Sequence, residues 1–598
     1  MKSKSCIAAL LLAVFTLGMT TSCEDMFDID SNRVVIDHEL NSTADSVYST
    51  LGVLQCMRKV ADRYVLLGEV RGDMVEINEE STKTSLRNLA NFNFESDNEY
   101  LNVRDYYAII NNCNYALAKM DTTLTLNGSR VMVDEYAALL GIRAWTYLQL
   151  AINYGDVYYY TYPVVTEADA ERAKADGKRN IKYIAADLTS QLLPYLDYDL
   201  PTFISLRKVF PVLRLVVADL YLWSGDYENA TQHLVEYFMD NEDFTYQASD
   251  VNGSVMQAGY MSLGGKFHSW NGKDGEKSVI GSTGEEYSSS DINARGYENL
   301  AYITMEKSGD KGITSELADL FWSGDNTHCL YPSTYWKSLS SQQMVFLLEK
   351  EDGQEPKLKS SSMVGDMRKQ RYWESKVKKN DAVMTDGEEF DVYYKLKDKK
   401  DKDGRVTQIN IYRRSIACLR WAESMNALAH ERYLAAADSA QKAEARALAV
   451  NSFYLLKDAS KVFFPDSSDV QKKFDRFNEA LQTEFVGIHA RGAGDVYADT
   501  TYYVLKPEAI AKRLGKSVDD GLQFSDTIEY IDELIIDELA LESTLEGNRF
   551  GDLIRFAERR DDPDFLAKRV ASRKGKDEFD TELYQKLSDK ANWYLPFK

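Results

Sequence analysis

The sequence predicts a mainly α-helical protein. Only 10 of its 598 residues are proline, and long windows repeat apolar side chains at the three- and four-residue spacing of a helix. Tyrosine is the second observation, because its 38 residues outnumber the 24 phenylalanines and 8 tryptophans together. Most of these rings are expected in the seams between helices, where aromatic side chains bury large apolar faces.

The first 22 residues have the pattern of a secretory leader. Lys2 and Lys4 precede an apolar run, Ile7–Leu17, that is shorter than the ~20 residues a membrane-spanning helix needs. Small and polar residues then lead to Cys23, in the position of the acceptor cysteine of a bacterial lipoprotein. We therefore expect residues 1–22 to be a lipoprotein signal peptide, Cys23 to carry acyl chains and residues 23–41 to form a tether. An ordinary secretory signal with an unrelated cysteine nearby is the alternative.

Composition excludes several classes of partner and cofactor. The formal charge is −23, and loss of the two positive charges of Lys2 and Lys4 with the leader makes it −25, which disfavours nucleic acid. The cysteines after Cys23 are far apart and the six histidines show no HxxxH or HxH spacing, so no metal and no cofactor are expected. A Cys56–Cys113 disulfide would suit an oxidising compartment, although single buried thiols are the simpler expectation.

Helices are expected along the first 240 residues and again after residue 412. The segment Ala218–Ala230 resembles the middle of a tetratricopeptide unit, because Gly225 stands at a turn where two helices must approach closely. Tyr154-Gly155-Asp156 is a typical helix stop. The predicted helices are one from Thr43, then Tyr100–Met120, Val133–Tyr154, Ile181–Leu193, Lys208–Trp223, Glu228–Phe238, Arg414–Ala429, Tyr433–Leu456 and Thr527 to about Arg559.

The character of the chain changes between residues 241 and 412. Gly, Ser, Asn, Asp and aromatic residues crowd together there, and helical periodicity fades. Two alternating runs, Phe390–Lys397 and Arg405–Tyr412, predict a β-hairpin with Asp403-Gly404 in its turn. Asp401–Gly404 is also similar to the start of a calcium loop, but the closing ligands are missing, so a solvated turn is the expectation.

The C-terminal block carries the densest charge pattern. Glu542, Glu546, Arg549 and Asp552 follow at three- and four-residue steps, so one continuous helix would place them on one face. Carboxylates that flank one arginine form charge-assisted hydrogen bonds. An acid/base pair of Glu546 and Asp552 is the catalytic alternative, but Arg549 would keep both ionised, whereas a general acid needs a raised pKa. We therefore expect a structural clamp and no catalytic residue.

Several of these segments together resemble the SusD/RagB-like outer-membrane nutrient-binding lipoproteins of Bacteroidetes. The C-terminal block is the most specific, with Asn548, Phe550 and Gly551 departing from the family's His, Trp and aromatic residue. The resemblance covers essentially the whole chain. It is carried by Arg104–Asn114, Gly141–Leu150, Tyr154–Val157, Tyr331–Ser333 with Asp366 and Arg368, and Glu538–Phe556.

The resemblance implies a SusD-like helical scaffold built on tetratricopeptide-like helix pairs, with a loop-rich insertion and small β-hairpins. A single domain would fill residues 42–598: scaffold at about 42–240 and 413–480, loop-rich ligand region at about 241–412, and C-terminal family block at about 525–598. It also implies a non-enzymatic, lipid-anchored protein on the outer face of the outer membrane. Its partners would be an oligosaccharide and a SusC-like TonB-dependent transporter.

The loop-rich region supplies most of the candidate ligand contacts. Sugar rings present apolar C–H faces that stack on exposed aromatic rings, while Asn and Arg side chains bond the hydroxyls. We select four aromatic residues and four polar partners. They are Trp270, Tyr287, Tyr297 and Trp322, with Asn98, Asn271, Asn293 and Arg295.

Three other functions stay open at this point. Some RagB-like members would capture peptides instead of sugars. A helical glycoside hydrolase needs two carboxylates across a sugar site, and no pair is singled out by the sequence; there is also no G-x-S-x-G, P-loop or HExxH motif. A helical-repeat scaffold that binds only proteins is the third alternative. The sugar, its linkage and the transporter are left open by the sequence.

Overall fold

The computed structural model confirms a mainly helical fold with small strands. It describes residues 43–78, 81–198, 200–201, 207–240, 299–306, 312–321, 329–342, 406–457 and 503–597, and short strands between 344 and 393. The leader, Cys23, the tether and the Asp401–Gly404 turn lie outside the described residues. Among the helices that are described, none is both long and apolar enough to cross a bilayer.

The helices follow one another with short connections. In chain order they are α1 (Thr43–Met57), α2 (Ala61–Glu69), α3 (Thr84–Ala90), α4 (Arg104–Lys119), α5 (Val133–Tyr154), α6 (Glu167–Asp176), α7 (Ile181–Leu192), α8 (Leu213–Ser224), α9 (Tyr227–Asp240), α10 (Leu317–Phe321), α11 (Thr334–Ser341), α12 (Arg414–Ala435), α13 (Ser439–Lys457), α14 (Pro507–Leu514), α15 (Phe524–Glu542), α16 (Arg549–Arg560), α17 (Pro563–Ala571) and α18 (Thr581–Leu587).

The described strands form antiparallel pairs. They are β1 (Val75–Ile77), β2 (Thr125–Leu126), β3 (Ser129–Arg130), β4 (Val157–Tyr158), β5 (Lys178–Arg179), β6 (Asn299–Thr304), β7 (Leu330–Pro332), β8 (Met344–Val345), β9 (Leu348–Glu349), β10 (Lys357–Leu358), β11 (Met363–Val364), β12 (Trp373–Val377), β13 (Glu389–Tyr393) and β14 (Gln408–Arg413). The pairs are β1 with β7, β2 with β3, β4 with β5, β6 with β14, β8 with β11, β9 with β10 and β12 with β13.

The predicted hairpin between residues 390 and 412 is wrong. β13 pairs with β12, and β14 pairs with β6, which lies about a hundred residues earlier in the chain. Alternating apolar residues predict a strand and its buried face, but they do not name the partner strand. The nearby Asp403-Gly404 dipeptide therefore predicted a local hairpin, whereas β14 pairs with the distant strand β6.

Chain contacts divide the protein into two compact units. Unit 1 comprises Met1–Val60, Asn93–Arg207 and Tyr594–Lys598, and unit 2 comprises Ala61–Phe92 and Lys208–Trp593. Among the described elements, unit 1 holds α1 and α4–α7, and unit 2 holds the remaining helices.

The core of unit 1 is built around α4 and α5. Helix α5 has the predicted bounds and is buried along nearly its whole length. It ends at Gly155, whose φ of +71° is easily reached only by glycine. The ring of Tyr594 packs on this glycine, where an added Cβ would lie 3.1 Å from the tyrosine Cγ. The cysteines Cys56 and Cys113 of this unit are buried free thiols.

The predicted tetratricopeptide-like turn is present in unit 2. Gly225 caps α8 in the left-handed conformation at φ +86°, and α9 begins two residues later. The Asp226 side chain accepts a hydrogen bond from the backbone N–H of Asn229 at 3.1 Å, which starts the second helix. Helix α8 itself begins at Leu213 rather than Lys208, because Pro211 disfavours helical backbone in the residue before it.

Two helix boundaries in the second half of the chain differ from the prediction. Helix α12 continues through Tyr433 to Ala435, since no Gly or Pro interrupts residues 430–435, and Asp438 starts α13 by accepting from the N–H of Gln441 at 2.9 Å. The predicted helix from Thr527 to Arg559 is interrupted at Ser543–Asn548. Leu545 and Gly547 both have positive φ there, so the helical hydrogen bonds cannot continue.

Candidate functional site

Most of the candidate ligand residues lie outside the described residues. They are Trp270, Tyr287, Tyr297, Trp322, Asn271, Asn293 and Arg295. Their contacts with ligand therefore stay predictions. The described elements of unit 2 nevertheless show how the chain enters and leaves this region.

Strands β6 and β14 form one anchor of the loop-rich region. Their pairing runs from Asn299 opposite Arg413 to Thr304 opposite Gln408, with an irregularity near Tyr412. Tyr297 stands two residues before β6 in sequence. The backbone hydrogen bonds of a paired strand hold its ends in fixed register. Strand β6 is therefore a fixed element that follows Tyr297 closely in the chain.

A half-buried carboxylate forms a second anchor. Asp62 of α2 accepts hydrogen bonds from Ser315 Oγ and from the Glu316 backbone N–H, both at 2.7 Å. Burial raises the pKa of this carboxyl to about 6, against the opposing effect of the two hydrogen bonds. Residues 315 and 316 lead directly into α10, and Trp322 follows the last residue of α10. The segment that enters Trp322 is therefore tied to α2.

Asn98 is the one candidate ligand residue that the structure describes. Its side chain is buried and accepts a hydrogen bond from the Tyr100 backbone N–H at 3.0 Å. It thereby caps the short 3₁₀ helix Glu99–Leu101 in unit 1. The predicted role of Asn98 as a polar ligand partner stays a prediction, and the amide oxygen also serves the backbone.

The predicted clamp on a single helix face is wrong. Glu542 ends α15, Glu546 lies in the turn, and Arg549 and Asp552 belong to α16. Arg549 does not bond the carboxylates that flank it in sequence. Its Nε and Nη2 donate to the two carboxylate oxygens of Asp73 at 2.6 and 2.7 Å. The break in the helix turns the side chains of the block toward different partners.

The other three clamp residues also form buried ion pairs in unit 2. Arg413, at the end of β14, donates to Glu542 Oε1 at 2.9 Å and to Glu546 Oε2 at 2.7 Å. Asp552 accepts from Arg555 at 2.8 Å. These contacts join the C-terminal block to the strand that anchors the loop-rich region. Such pairs hold the contacting elements together, because loss of one partner would leave the other charge buried and uncompensated.

The protonation of these carboxylates is set by burial and by neighbouring arginines. Burial raises the pKa of Asp552, although Arg555 and Arg420 oppose the shift, so the expectation that Arg549 would keep this pKa from rising is wrong. Burial also disfavours ionised Glu423, but Arg555 and Arg559 outweigh it and lower its pKa. Asp552 is nevertheless only 1% exposed. A raised pKa without access to a substrate does not make a general acid.

Aromatic residues of the family-like passage are structural. Trp336 is fully buried, and its indole Nε1 donates to the Ala540 carbonyl at 3.2 Å and to Thr544 Oγ1 at 2.9 Å. Tyr331 Oη donates to Glu76 Oε2 at 3.2 Å. These contacts hold β7 and α11 within unit 2, beside the point where the described chain resumes at Cys329.

Comparison with known proteins adds to this geometry. No protein-family model matches the sequence. The fold matches a SusD superfamily protein from Bacteroides thetaiotaomicron over 93% of this chain and 96% of the other, with a TM-score of 0.50 and 13% identity. This chain has the SusD-like fold. A surface glycan-binding protein A from Bacteroides fluxus is also similar, with a TM-score of 0.49 and 12% identity over 91% of this chain and 94% of the other.

A curated relative agrees with the SusD-like assignment. SusD-like protein P38 of Formosa agariphila is 23% identical over 251 residues, which are 40% of this chain and 47% of that protein. The match thus spans about half the length of this relative. The predicted SusD-like resemblance is confirmed by the sequence match and the fold together.

Sequence reasoning missed several residues that form the anchors and buried ion pairs of unit 2. Asp62 and Asp73 were not selected, although both bind residues that are far away in sequence. Neither carries a local signal, because an isolated aspartate on a helix or turn is usually solvated. Arg413 did have one: two consecutive arginines, Arg413-Arg414, follow an apolar strand, a position where a long cation must find a buried partner.

Proposed function

We propose that this chain is a non-catalytic, cell-surface lipoprotein that captures oligosaccharides and delivers them to a SusC-like TonB-dependent transporter of the outer membrane. The SusD-like fold over 93% of the chain is the observation that carries the proposal. The leader and Cys23 support lipid anchoring, and the acidic residues Glu24 and Asp25 directly after Cys23 support exposure on the outer face.

The chemistry of the loop-rich region supports a sugar ligand. Trp270 and Trp322 would offer flat apolar faces to sugar rings, with Tyr287 and Tyr297 beside them. Asn271, Asn293 and Arg295 would bond hydroxyl groups. The anchors at β6–β14 and at Asp62 hold described residues that lie close in sequence to Tyr297 and to Trp322, and a recognition loop held by a rigid scaffold loses less entropy when it binds.

The non-catalytic part of the proposal is supported by the carboxylates of the C-terminal block. A glycosidase needs two carboxyl groups that face the sugar from opposite sides. Glu542, Glu546 and Asp552 are instead buried in ion pairs with arginines. Their arrangement favours a role in holding the scaffold.

The test of ligand binding is affinity electrophoresis in gels that contain laminarin, amylopectin, xylan or mucin glycans. We expect the wild type to be retarded by one of them, and Trp270→Ala and Trp322→Ala to lose that retardation. Tyr183→Ala is the matched control, because Tyr183 is 52% exposed in unit 1 and is not a proposed contact. Retardation by none of the glycans, with binding of a peptide mixture instead, would favour peptide capture. Reducing ends that accumulate with turnover would show an enzyme.

The test of anchoring uses the acceptor cysteine. Cys23→Ala is expected to move the folded protein from the membrane fraction to the soluble fraction and to abolish labelling with radioactive palmitate. A Cys6→Ala variant, within the leader, is the control and should remain membrane-bound. Membrane retention of unlabelled Cys23→Ala protein in cells that lack the transporter would contradict the anchor.

A further inference from the structure

A row of half-exposed tyrosines lies on unit 1 and includes none of the residues assigned above. Tyr136 of α5 contacts Tyr195, with ring centroids 5.2 Å apart, and Tyr195 contacts Tyr198 at 5.8 Å. Neighbouring rings are tilted by 40° at both contacts. Arg130 of β3 donates to Tyr198 Oη at 3.4 Å and closes one end of the row. We call these four residues the tyrosine row.

The tyrosine row differs from the buried tyrosines of its unit. Tyr107 and Tyr147 are fully buried, and their hydroxyls donate to main-chain carbonyls of Tyr158 and Tyr160. The rings of Tyr136, Tyr195 and Tyr198 each keep part of their surface in solvent. Packing in the core therefore explains the placement of Tyr107 and Tyr147, whereas part of each ring in the tyrosine row stays exposed to solvent.

The neighbouring hairpin is itself exposed. Strands β2 and β3 are joined by Asn127 and Gly128, both with positive φ, which is the two-residue turn that suits a tight hairpin. All residues from 125 to 130 are exposed, and Leu126 is 59% exposed. Leu193, before Tyr195, is 41% exposed. Apolar surface, aromatic rings and a guanidinium thus lie together on the outside of unit 1.

We propose that the tyrosine row is a second sugar-binding site, for neutral sugar rings of the polysaccharide that the protein captures. The inference rests on the proposed function, because it takes the same class of ligand. Tilted rings follow a curved chain of sugar units better than a flat sheet would, and each ring offers an apolar face with a polar tip. Arg130 supplies several N–H donors for hydroxyl groups at one end.

The size of the row favours a sugar over a protein partner. A fully buried tyrosine removes roughly 150–250 Å² from solvent. Three half-exposed rings therefore offer well below the roughly 800 Å² per partner that a stable protein interface buries. Burial and the neighbouring Tyr136 raise the pKa of Tyr195, so the hydroxyl of Tyr195 stays a protonated donor at neutral pH.

A weak second site changes the binding of long chains more than that of short ones. A polysaccharide held at one site rebinds at another with a high local concentration, whereas a trisaccharide occupies one site at a time. The tyrosine row should therefore contribute to polysaccharide affinity and leave the affinity of the loop-rich region for a trisaccharide unchanged.

The experiment compares Tyr195→Ala/Tyr198→Ala with wild type, using the polysaccharide from the laminarin, amylopectin, xylan and mucin panel that retains the wild type, and its trisaccharide. We expect at least a roughly tenfold loss of polysaccharide affinity in affinity gels and an unchanged trisaccharide Kd by calorimetry. Tyr183→Ala should bind both as wild type does. Arg130→Ala, on an exposed hairpin, should show a smaller loss without any change in circular dichroism.

Three outcomes would overturn the inference in different ways. Polysaccharide affinity equal to wild type in both Tyr195→Ala/Tyr198→Ala and Arg130→Ala would remove the second site while leaving the proposed function intact. If those variants keep glycan binding but lose a copurifying membrane protein, the row is a protein contact. No glycan binding by the wild type would instead refute the proposed function, and the second site with it.

Discussion

Units 1 and 2 satisfy their buried polar groups in different ways. In unit 1, tyrosine hydroxyls donate to carbonyls, as in Tyr147 Oη to the Tyr160 carbonyl at 2.6 Å, and the buried Arg143 donates to the amide oxygen of Asn114 at 2.7 Å. In unit 2, buried arginines face carboxylates, as in Arg549 with Asp73 and Arg555 with Glu423.

This difference predicts which substitutions each unit should tolerate. A neutral hydroxyl keeps its partner over a wide pH range, and burial raises the pKa of Tyr147 further from neutrality. An ion pair holds only while both groups are charged, and each group has lost its hydration. Loss of one partner should therefore cost unit 2 more than loss of a hydroxyl costs unit 1.

The largest expected effect is the loss of Arg549. Arg549→Ala leaves the carboxylate of Asp73, which is fully buried, without its bidentate partner. We expect the free energy of unfolding to fall by about 3–5 kcal/mol, measured by urea denaturation. Lys83→Ala breaks an exposed ion pair with Glu316 and is the control, with a loss of less than about 1 kcal/mol. Replacement of both partners, as Arg549→Met/Asp73→Leu, should recover most of the loss. Equal effects of the two single variants would contradict the comparison.

A close backbone contact in unit 2 gives the next effect. A Cβ on Gly68 of α2 would lie 1.9 Å from the carbonyl oxygen of Gly547, so Gly68→Ala must push two backbones apart. We expect destabilisation of about 3 kcal/mol in the same assay. Gly52 of α1 is the matched helical glycine, with nothing within 4 Å of its Cβ, and Gly52→Ala should stabilise by up to about 1 kcal/mol. A neutral Gly68→Ala would show that the contact yields.

Acid should weaken unit 2 through Glu533. Burial disfavours its charge, but Arg569, Arg560 and Arg513 outweigh burial and lower its pKa from 4.5 to about 2. A lowered carboxyl pKa adds stability above the unfolded value, and this stability is lost as pH falls from about 5 to 2.

Glu533→Gln should therefore destabilise by about 2 kcal/mol at pH 7, and the gap to wild type should narrow toward pH 3. Urea melts at both pH values make the measurement. Glu508→Gln, on an exposed helix start, is a control with little effect at either pH. A gap that stays constant with pH would mean that Glu533 acts through packing alone.

The smallest effect is expected in unit 1. Tyr147→Phe removes a hydroxyl that donates to the Tyr160 carbonyl and accepts from the Tyr160 N–H at 3.0 Å. We expect a loss of about 1–2 kcal/mol that stays the same between pH 5 and 8, measured by urea denaturation. Tyr183→Phe, at an exposed tyrosine, should change nothing. A strong pH dependence of the stability loss in Tyr147→Phe would contradict the difference between the units.

Local patterns predicted some elements well and failed where distant residues decide. Helix α5 and its stop at Gly155 follow from spacing and a glycine, so the sequence sufficed. The C-terminal block was recognised, but its helix break was not, because Leu545 takes a positive φ that its residue type does not announce. Strand β14 pairs with a strand about a hundred residues away, and Arg549 pairs with Asp73, which is 476 positions earlier. The periodicity of a short sequence segment does not encode such distant partners.

The way unit 1 is assembled in sequence has a consequence for folding during synthesis. Residues 594–597 belong to unit 1, where Leu595 N–H donates to the Asn153 carbonyl at 2.9 Å and the ring of Phe597 packs against Tyr107 and Tyr158. The segment Lys208–Trp593 separates them from the helices they complete. Because a chain is synthesised from its amino end, α4 and α5 must stay incompletely covered until residues 594–597 have been made. Unit 1 therefore completes its core only at the very end of synthesis.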